Sequence, residues 1–145
     1  MAETIIKVKD LVKKYGDFEA VKGISFEVKD GEIFGLLGPN GAGKSTTLEI
    51  IETLREKTSG EVSVNGFNLD KEPDEIKKII GVQLQTSGYY PNLKLTELMI
   101  LFGGLYNRDV DPMHLLEMVN LKDKANAKVK ELSGGQKQRF SIATT

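Results

Sequence analysis

The sequence from residue 38 to residue 46 reads Gly38-Pro39-Asn40-Gly41-Ala42-Gly43-Lys44-Ser45-Thr46. This stretch fits the pattern G-x-x-x-x-G-K-[ST], and it stands between an apolar run at residues 33–37 and a segment of helical character at residues 44–56. Glycines allow the backbone to curl until several N–H groups face one anion, and the positive end of the following helix strengthens the attraction. The stretch therefore predicts a strand, a loop that cradles the phosphates of a nucleoside triphosphate, and a helix.

Three side chains at the end of this phosphate loop have distinct expected roles. Lys44 is placed to neutralise the β- and γ-phosphates, the Ser45 hydroxyl to bind Mg²⁺, and Thr46 to bind the α-phosphate. The alternative is a glycine-rich turn with a surface lysine, which is disfavoured because the motif and its context agree. The motif alone does not separate kinases, GTPases and motor ATPases, since all of them hold phosphates in this way.

The composition limits the remaining classes of protein. The 145 residues carry a net charge of −1, which argues against a nucleic-acid-binding protein that relies on bulk electrostatic attraction. The sequence contains no cysteine, which excludes disulfides and thiolate metal sites. The most apolar stretches, residues 33–37 and 98–106, are far shorter than the roughly 18 residues that a spanning helix needs. The acidic start is not typical of a secretory signal. We therefore expect a soluble or peripheral protein.

Local patterns predict a mixed α/β chain. Alternating or continuous apolar runs predict strands at residues 6–12, 24–28, 33–37, 61–64 and 79–84. Turn signals are expected to form hairpins at Asp30-Gly31 and at Asn65-Gly66. Helices are expected at residues 44–56, 73–78, 96–106 and 111–119, and from residue 133 to the last residue. Thr96 is the expected N-cap of the third of these helices, and Pro112 the first residue of the fourth.

A second motif, near the end of the chain, narrows the function. It reads Leu132-Ser133-Gly134-Gly135-Gln136, and together with the upstream phosphate loop it resembles the signature of the ATP-binding-cassette (ABC) ATPases. Two glycines and a serine open a helix, so that backbone N–H groups and the Ser133 hydroxyl can reach a γ-phosphate. The alternative is that Ser133 is only a helix N-cap, a role that it fills locally in either case.

Two further residues are identified through the same resemblance. An aromatic residue at the position of Tyr15 stacks on adenine in ABC ATPases; the alternative is a hairpin aromatic that packs on its neighbours. Gln85 resembles the Q-loop glutamine, which ligates Mg²⁺ or orients water, whereas Gln83 lies inside the expected strand and fits less well. Tyr89 and Tyr90 are candidates for a surface that docks a membrane partner, and ordinary packing against the helices is the alternative.

The resemblance implies the α/β fold of an ABC-type nucleotide-binding domain of the P-loop NTPases. This fold combines an antiparallel β subdomain, a partial parallel core sheet and an α-helical subdomain, here ending after the signature helix. Residues 1–84 are then the β subdomain and the P-loop core. Residues 85–145 contain the Q-loop and the α-helical subdomain.

The sequence also departs from the family pattern. An apolar strand that ends in Asp-Glu, the Walker B aspartate and the catalytic glutamate, does not follow the signature, and neither does a switch histidine. The pair Asp74-Glu75 is interpreted as the solvated first turn of a helix, and His114 precedes the signature. Hydrolysis is therefore expected to need a further C-terminal part, and activity of the 145 residues alone stays open.

By resemblance, the complete protein is an ABC-type ATPase that couples ATP binding and hydrolysis to transport. It is expected to bind ATP and Mg²⁺ and to pair head to tail with a second nucleotide-binding domain. Lys44 of one domain and Ser133 of the other then enclose one ATP. The other expected partners are transmembrane permease subunits, at the cytoplasmic face of the cell membrane, with no nucleic acid. The phosphate loop and the Q-loop resemble bacterial exporters, including multidrug exporters. The alternatives are a soluble, non-transport ABC ATPase and a non-catalytic nucleotide-binding half-domain.

Overall fold

The computed structural model describes residues 3–83 and 88–145 of the chain. The chain divides into two compact units, Met1–Ile80 and Gly81–Thr145, each with its own hydrophobic core. The first unit is built on a β-sheet and contains the phosphate loop. The second is helical and contains the signature motif.

The first unit is organised by an antiparallel sheet of four strands in the order β2-β1-β3-β4. The strands are β1 (Thr4–Tyr15), β2 (Phe18–Lys29), β3 (Ser59–Val64) and β4 (Phe67–Asn68). The predictions of strands at residues 6–12, 24–28 and 61–64 are confirmed, because each segment lies inside one of these strands.

The Asn65-Gly66 turn is confirmed as the hairpin between β3 and β4. Both residues have positive φ, 49° at Asn65 and 82° at Gly66, as a type I′ turn requires. The hairpin expected at Asp30-Gly31 is wrong. The chain turns there, with φ 74° at Gly31, but the residues that follow form no strand in the described part of the chain. The hairpin partner of β2 is β1, and the two are joined at Gly16 and Asp17.

A bulge in β1 brings β3 unusually close. Asp10, in the bulge, has φ 48°, and its backbone N–H donates to Ser25 Oγ at 2.8 Å. Gly60 of β3 has φ 94°, and a Cβ added there would lie 2.4 Å from the Asp10 carbonyl oxygen. Only glycine fits this position, since the backbone is left-handed and the space for a side chain is already filled.

Helix α1 (Lys44–Ile51) begins at the phosphate loop and is shorter than the predicted segment 44–56. The chain leaves the helix at Thr53, which has φ 62°. The Thr53 N–H donates to the Ile50 carbonyl at 3.0 Å, and the Leu54 N–H donates to the Glu49 carbonyl at 2.8 Å. These two bonds form a Schellman motif, which ends a helix by satisfying its last carbonyl groups. This helix end could not be predicted from the sequence, because glycine or asparagine, not threonine, is the usual residue at this position.

Helix α2 (Pro73–Ile79) confirms the helix predicted at residues 73–78. Asp74 and Glu75 occupy its first turn, as interpreted from the sequence, and they accept from Lys77 and Lys78 at 2.9 and 2.7 Å. The hydrogen bond from Lys77 lowers the pKa of Asp74. The pair is therefore a local surface feature of the helix.

The strands predicted at residues 33–37 and 79–84 are wrong. Ile33 and Leu37 are 101% and 92% exposed, and Ile79 is the last residue of α2. Residues 80–83 have no regular structure, and residue 84 lies outside the described residues. A central parallel strand is held by hydrogen bonds to neighbours on both sides. In the described residues every strand pair is antiparallel, so the expected partial parallel core sheet is not formed there.

The second unit packs three helices around an apolar core. These are α3 (Leu95–Leu105), α4 (Pro112–Met118) and α5 (Gly134–Ala143), joined by 3₁₀ turns at Lys122–Lys124 and Val129–Glu131. Leu98, Leu116 and Phe140, one from each helix, are fully buried in this core. None of the helices in the described parts of the chain is both long and apolar enough to cross a lipid bilayer.

The helix ends of the second unit correct two expectations and confirm one. Thr96 is not the N-cap of α3: its hydroxyl donates to the Ala125 carbonyl at 3.4 Å, and the helix starts after Lys94, whose N–H donates to Glu97 Oε2 at 2.8 Å. Pro112 is the first residue of α4, as predicted. Helix α5 ends at Ala143, two residues earlier than expected.

Candidate functional site

The phosphate loop curls because two of its glycines adopt left-handed backbone angles. Gly41 and Gly43 both have φ 82°, and the Ala42 N–H donates to the Pro39 carbonyl at 3.2 Å. A Cβ on Gly43 would lie 2.3 Å from the Ala20 carbonyl oxygen, so the loop presses directly against β2. Both the conformation and the close approach require glycine at residue 43.

Lys44 folds back over this loop. Its Nζ donates to the carbonyl oxygens of Gly38 at 2.8 Å and Pro39 at 2.7 Å. An ammonium group has three N–H donors, so one remains after these two bonds. The loop therefore holds the lysine in place and leaves a charged donor that can meet a phosphate oxygen.

The first turn of α1 leaves its backbone donors without helical partners. The first hydrogen bond of the helix runs from the Thr47 N–H to the Gly43 carbonyl at 2.8 Å, and Gly43 caps the helix without a side chain. The preceding N–H groups of a helix have no carbonyl to pair with, and they carry the positive end of the helix dipole. Ser45 is exposed and Thr46 is half-buried at this end. The arrangement suits a multiply charged anion.

Thr47 also supports the phosphate loop, although the sequence motif did not predict a role for it. It is 1% exposed, and its Oγ1 donates to the Gly43 carbonyl at 2.9 Å. The buried hydroxyl ties the first turn of α1 to the last glycine of the loop. A threonine next to a known motif carries no sequence signal that distinguishes this role.

Tyr15 lies at the end of β1 and is 42% exposed. Its hydroxyl accepts from Arg55 Nη1 at 2.5 Å, and Lys13 Nζ lies 5.1 Å from the ring centroid. Arg55 is 40 residues away from Tyr15 in the chain and belongs to no motif, so no sequence pattern predicted this contact. An exposed aromatic ring beside two cations is compatible with stacking on a flat, electron-rich base.

The signature motif opens helix α5. The Ser133 Oγ accepts from the Gln136 N–H at 3.3 Å, and Gln136 Oε1 accepts from the Ser133 N–H at 2.8 Å. Leu132 is buried and anchors the motif, whereas Ser133, Gly134 and Gly135 are exposed. The N-cap interpretation of Ser133 therefore holds, and the same geometry presents a hydroxyl and two glycine N–H groups to solvent.

The other residues that were considered from the sequence do not share one environment. Gln85 lies outside the described residues. The Tyr89 ring packs against Phe102 and Phe140, with centroids 6.0 and 5.2 Å apart, whereas Tyr90 is 65% exposed. His114 is exposed on α4. The phosphate loop and Tyr15 belong to the first unit, and the signature motif belongs to the second.

The described residues also limit how a metal ion could be held. They contain no group of three or more His, Asp or Glu side chains able to bind one. A Mg²⁺ ion commonly keeps several waters and binds one or two protein groups together with substrate phosphates. The exposed Ser45 hydroxyl at the start of α1 fits that mode of binding, since it needs no protein cage.

Comparison with known proteins places these features in a family. The sequence profile described as ABC transporter matches residues 21–145, which include both the phosphate loop and the signature motif. The resemblance inferred from the motifs is thereby confirmed.

Curated relatives match the chain over almost its whole length. The linearmycin resistance ATP-binding protein LnrL of Bacillus subtilis (strain 168) is 39% identical over 143 residues, covering 95% of this chain and 46% of the relative. The probable multidrug ABC transporter ATP-binding protein YbhF of Escherichia coli (strain K12) is 40% identical over 148 residues, covering 97% of this chain and 25% of the relative. The chain therefore spans about half of one relative and a quarter of the other.

Solved structures share the fold. A structure of an ATP-binding subunit of an ABC transporter has a TM-score of 0.84 at 30% identity, covering 98% of this chain and 61% of that chain. A dimeric ATP-binding cassette in a post-hydrolysis state, bound to ADP and Pi, has a TM-score of 0.78 at 32% identity. The match covers 97% of this chain and 68% of that chain. The expected fold class, an α/β cassette of the P-loop NTPases, is confirmed by these likenesses.

Proposed function

The chain belongs to the ABC transporter family, and we propose that it is the ATP-binding part of an export-type transporter subunit. In this role it binds ATP at the phosphate loop and passes the binding energy to membrane-embedded permease subunits from the cytoplasmic face. The export assignment is supported by relatives named for resistance and multidrug transport. The transported substrate is chosen by the permease.

The observation that carries the proposal is the geometry of Lys44. Its Nζ is held by the carbonyl oxygens of Gly38 and Pro39, which leaves one N–H donor for a phosphate oxygen. Immediately beside it, the N–H groups at the start of α1 offer further donors with the helix dipole behind them. Donors of this kind, fixed before the ligand arrives, favour a triphosphate over a singly charged anion.

Mg²⁺ fits the same end of the helix. We assign the Ser45 hydroxyl and the Gln85 side chain as its protein contacts, and the bound ion would neutralise charge on the phosphates. Tyr15 would hold the adenine ring by stacking.

The second half of the ATP site is proposed to come from a second nucleotide-binding domain in a head-to-tail dimer. The Ser133 Oγ accepts from the Gln136 N–H, so its own proton remains available for donation. The N–H groups of Gly134 and Gly135 lie in the first helical turn, where no carbonyl of α5 can accept from them. These three donors match the needs of a γ-phosphate presented by the partner domain.

Hydrolysis in the complete protein needs a general base for the attacking water. The Asp74-Glu75 pair is not assigned to that role, since both carboxylates are paired with lysines on the surface of α2. We propose that the complete protein supplies the general base and the switch histidine from another region. This region would be equivalent to the parts of the relatives that the chain does not match.

The proposal is tested by replacing Lys44 in the complete protein. Lys44→Ala is expected to weaken ATP binding at least about tenfold, because a charge-assisted hydrogen bond to phosphate is lost. The matched control is Lys22→Ala, an exposed lysine of β2. Calorimetric titration with ATP measures both. Affinity equal to that of the Lys22 variant would contradict the assignment of the phosphate loop.

A further inference from the structure

A chain of three side chains links the end of β1 to helix α1. Arg55 Nε donates to Glu49 Oε2 at 2.6 Å, and Arg55 Nη1 donates to the Tyr15 hydroxyl at 2.5 Å. Glu49 lies on α1, the helix that begins at the phosphate loop. One guanidinium group therefore contacts both the aromatic residue and the helix that carries Lys44.

The backbone fixes the position of Arg55. Just after it, the Thr58 N–H donates to the Val12 carbonyl at 2.8 Å, and Thr58 Oγ1 accepts from the Lys14 N–H at 2.9 Å. These bonds attach the segment that follows α1 to the last residues of β1. The Schellman motif at Thr53 redirects the chain toward that strand. The contact between Arg55 and Tyr15 is thus built into the fold of the first unit.

Arginine is suited to this double contact because of its shape. The guanidinium is planar and presents five N–H donors in a fixed fork, so different edges can bind two acceptors at once. A lysine presents a single ammonium on a flexible stem and cannot reproduce the geometry. The hydrogen bond to the Glu49 carboxylate raises the pKa of Arg55, so the guanidinium stays charged at neutral pH.

We propose that Arg55 is a positioning residue for nucleotide binding: it fixes the ring of Tyr15 in the orientation that stacks on the base. This inference rests on the proposed function, and it adds a determinant of base affinity that is separate from phosphate affinity. Without the contact, an exposed tyrosine near a hairpin can rotate, and that freedom must be lost on binding. With it, the ring is ordered before the nucleotide arrives.

The test measures the contribution of the base to affinity separately from that of the phosphates. In the complete protein, ATP and inorganic tripolyphosphate are titrated against the wild type, Arg55→Ala, Tyr15→Phe and the double variant. Arg55→Ala is expected to lower the affinity for ATP by about threefold to tenfold, in the range of one aromatic stacking contact. Tripolyphosphate affinity is expected to stay unchanged. Arg108→Ala, an exposed arginine of the second unit, is the matched control for loss of an arginine.

The double variant decides whether Arg55 acts through the tyrosine hydroxyl. Tyr15→Phe keeps the ring and removes the acceptor, so it should reproduce the effect of Arg55→Ala, and the combination should be no weaker than either single variant. Arg55→Lys should not restore ATP affinity. Additive effects, or an equal loss of affinity for tripolyphosphate, would overturn the proposal.

The outcome also distinguishes this inference from the proposed function. If Lys44→Ala abolishes binding of both ligands while Arg55→Ala changes neither, the phosphate site stands and the positioning role of Arg55 is wrong. If Lys44→Ala leaves both affinities unchanged, the proposed function itself fails. Unchanged tripolyphosphate binding by the Arg55 variant also shows that the variant is folded.

Discussion

Ser133 and Gln136 cap helix α5 reciprocally. The Ser133 N–H donates to Gln136 Oε1 at 2.8 Å, and the Gln136 N–H donates to Ser133 Oγ at 3.3 Å. The first turn of the signature helix is therefore ordered by its own side chains. A partner domain would meet donors that are already in place, which reduces the entropy lost on closing around a nucleotide.

Two substitutions at Ser133 should separate stability from dimerisation. Ser133→Ala removes the cap acceptor and is expected to lower the free energy of unfolding by about 1 kcal/mol. Ser133→Asp keeps an acceptor at the cap, so stability should be retained, but its charge would repel a γ-phosphate. ATP-dependent dimerisation of the complete protein, followed by sedimentation, should therefore be lost in the Asp variant.

Asp111→Ala provides the control for the Ser133 variants. Asp111 caps α4 by accepting from the Met113 N–H at 2.9 Å, so its removal should cost a similar amount of stability without affecting dimerisation. Normal ATP-dependent dimerisation of Ser133→Asp would show that Ser133 does not face the phosphate.

The two left-handed glycines of the phosphate loop should respond differently to alanine. Both have φ 82°, and left-handed backbone costs an L-residue roughly 1–2 kcal/mol. A Cβ at Gly41 meets nothing within 4 Å, whereas at Gly43 it would lie 2.3 Å from the Ala20 carbonyl. Gly43→Ala should therefore lower the midpoint of thermal unfolding more than Gly41→Ala. Equal midpoints would show that the loop can move away from β2.

Glu52 should destabilise the folded protein at neutral pH. Burial, and then repulsion from Glu49, raise the pKa of Glu52. Glu52 is also the C-cap of α1, where the helix dipole disfavours a negative charge. A raised folded pKa makes the ionised form unfavourable, so the destabilisation exists above that pKa and vanishes below the unfolded pKa of about 4.3.

Replacing Glu52 by glutamine tests this pH dependence. Glu52→Gln is expected to gain about 0.3–1 kcal/mol of unfolding free energy at pH 7, in the range of a helix-terminus charge. The gain should disappear near pH 3. Urea unfolding at both pH values measures it, with the exposed Glu56→Gln as control. A gain that persists at pH 3 would show that charge is not its cause.

Tyr89 and Tyr90 should affect different properties of the protein. Tyr89 packs on Phe102 and Phe140, and its hydroxyl lies 3.2 Å from Thr144 Oγ1, so Tyr89→Ala should cost roughly 2–4 kcal/mol of stability. Tyr90 is 65% exposed, so Tyr90→Ala should change stability by less than about 0.5 kcal/mol. If Tyr90 docks a membrane partner, its alanine variant should retain less permease on affinity purification. Unchanged retention would remove Tyr90 from the docking surface.

Local chemistry explains which parts of this protein could be predicted from the sequence. The Asn65-Gly66 hairpin, Pro112 at the start of α4 and the Ser133 cap each depend on residues within one turn of one another. The phosphate loop belongs to the same class, since glycines and a lysine at fixed spacing specify a backbone conformation and a charge. Motif order along the chain then indicated the family.

The tertiary structure alone decided the features that depend on distant neighbours. Residues 33–37 have the composition of a buried strand, yet Ile33 and Leu37 are exposed, because a strand needs partners that an apolar pattern cannot supply. The contact between Tyr15 and Arg55 exists because β1 pairs with β3 and a Schellman turn redirects the chain after α1. The sequence by itself determined the local turns, the caps and the phosphate loop, since these need only neighbouring residues. Sheet pairing and the side chains around Tyr15 were decided by packing between segments far apart in the chain.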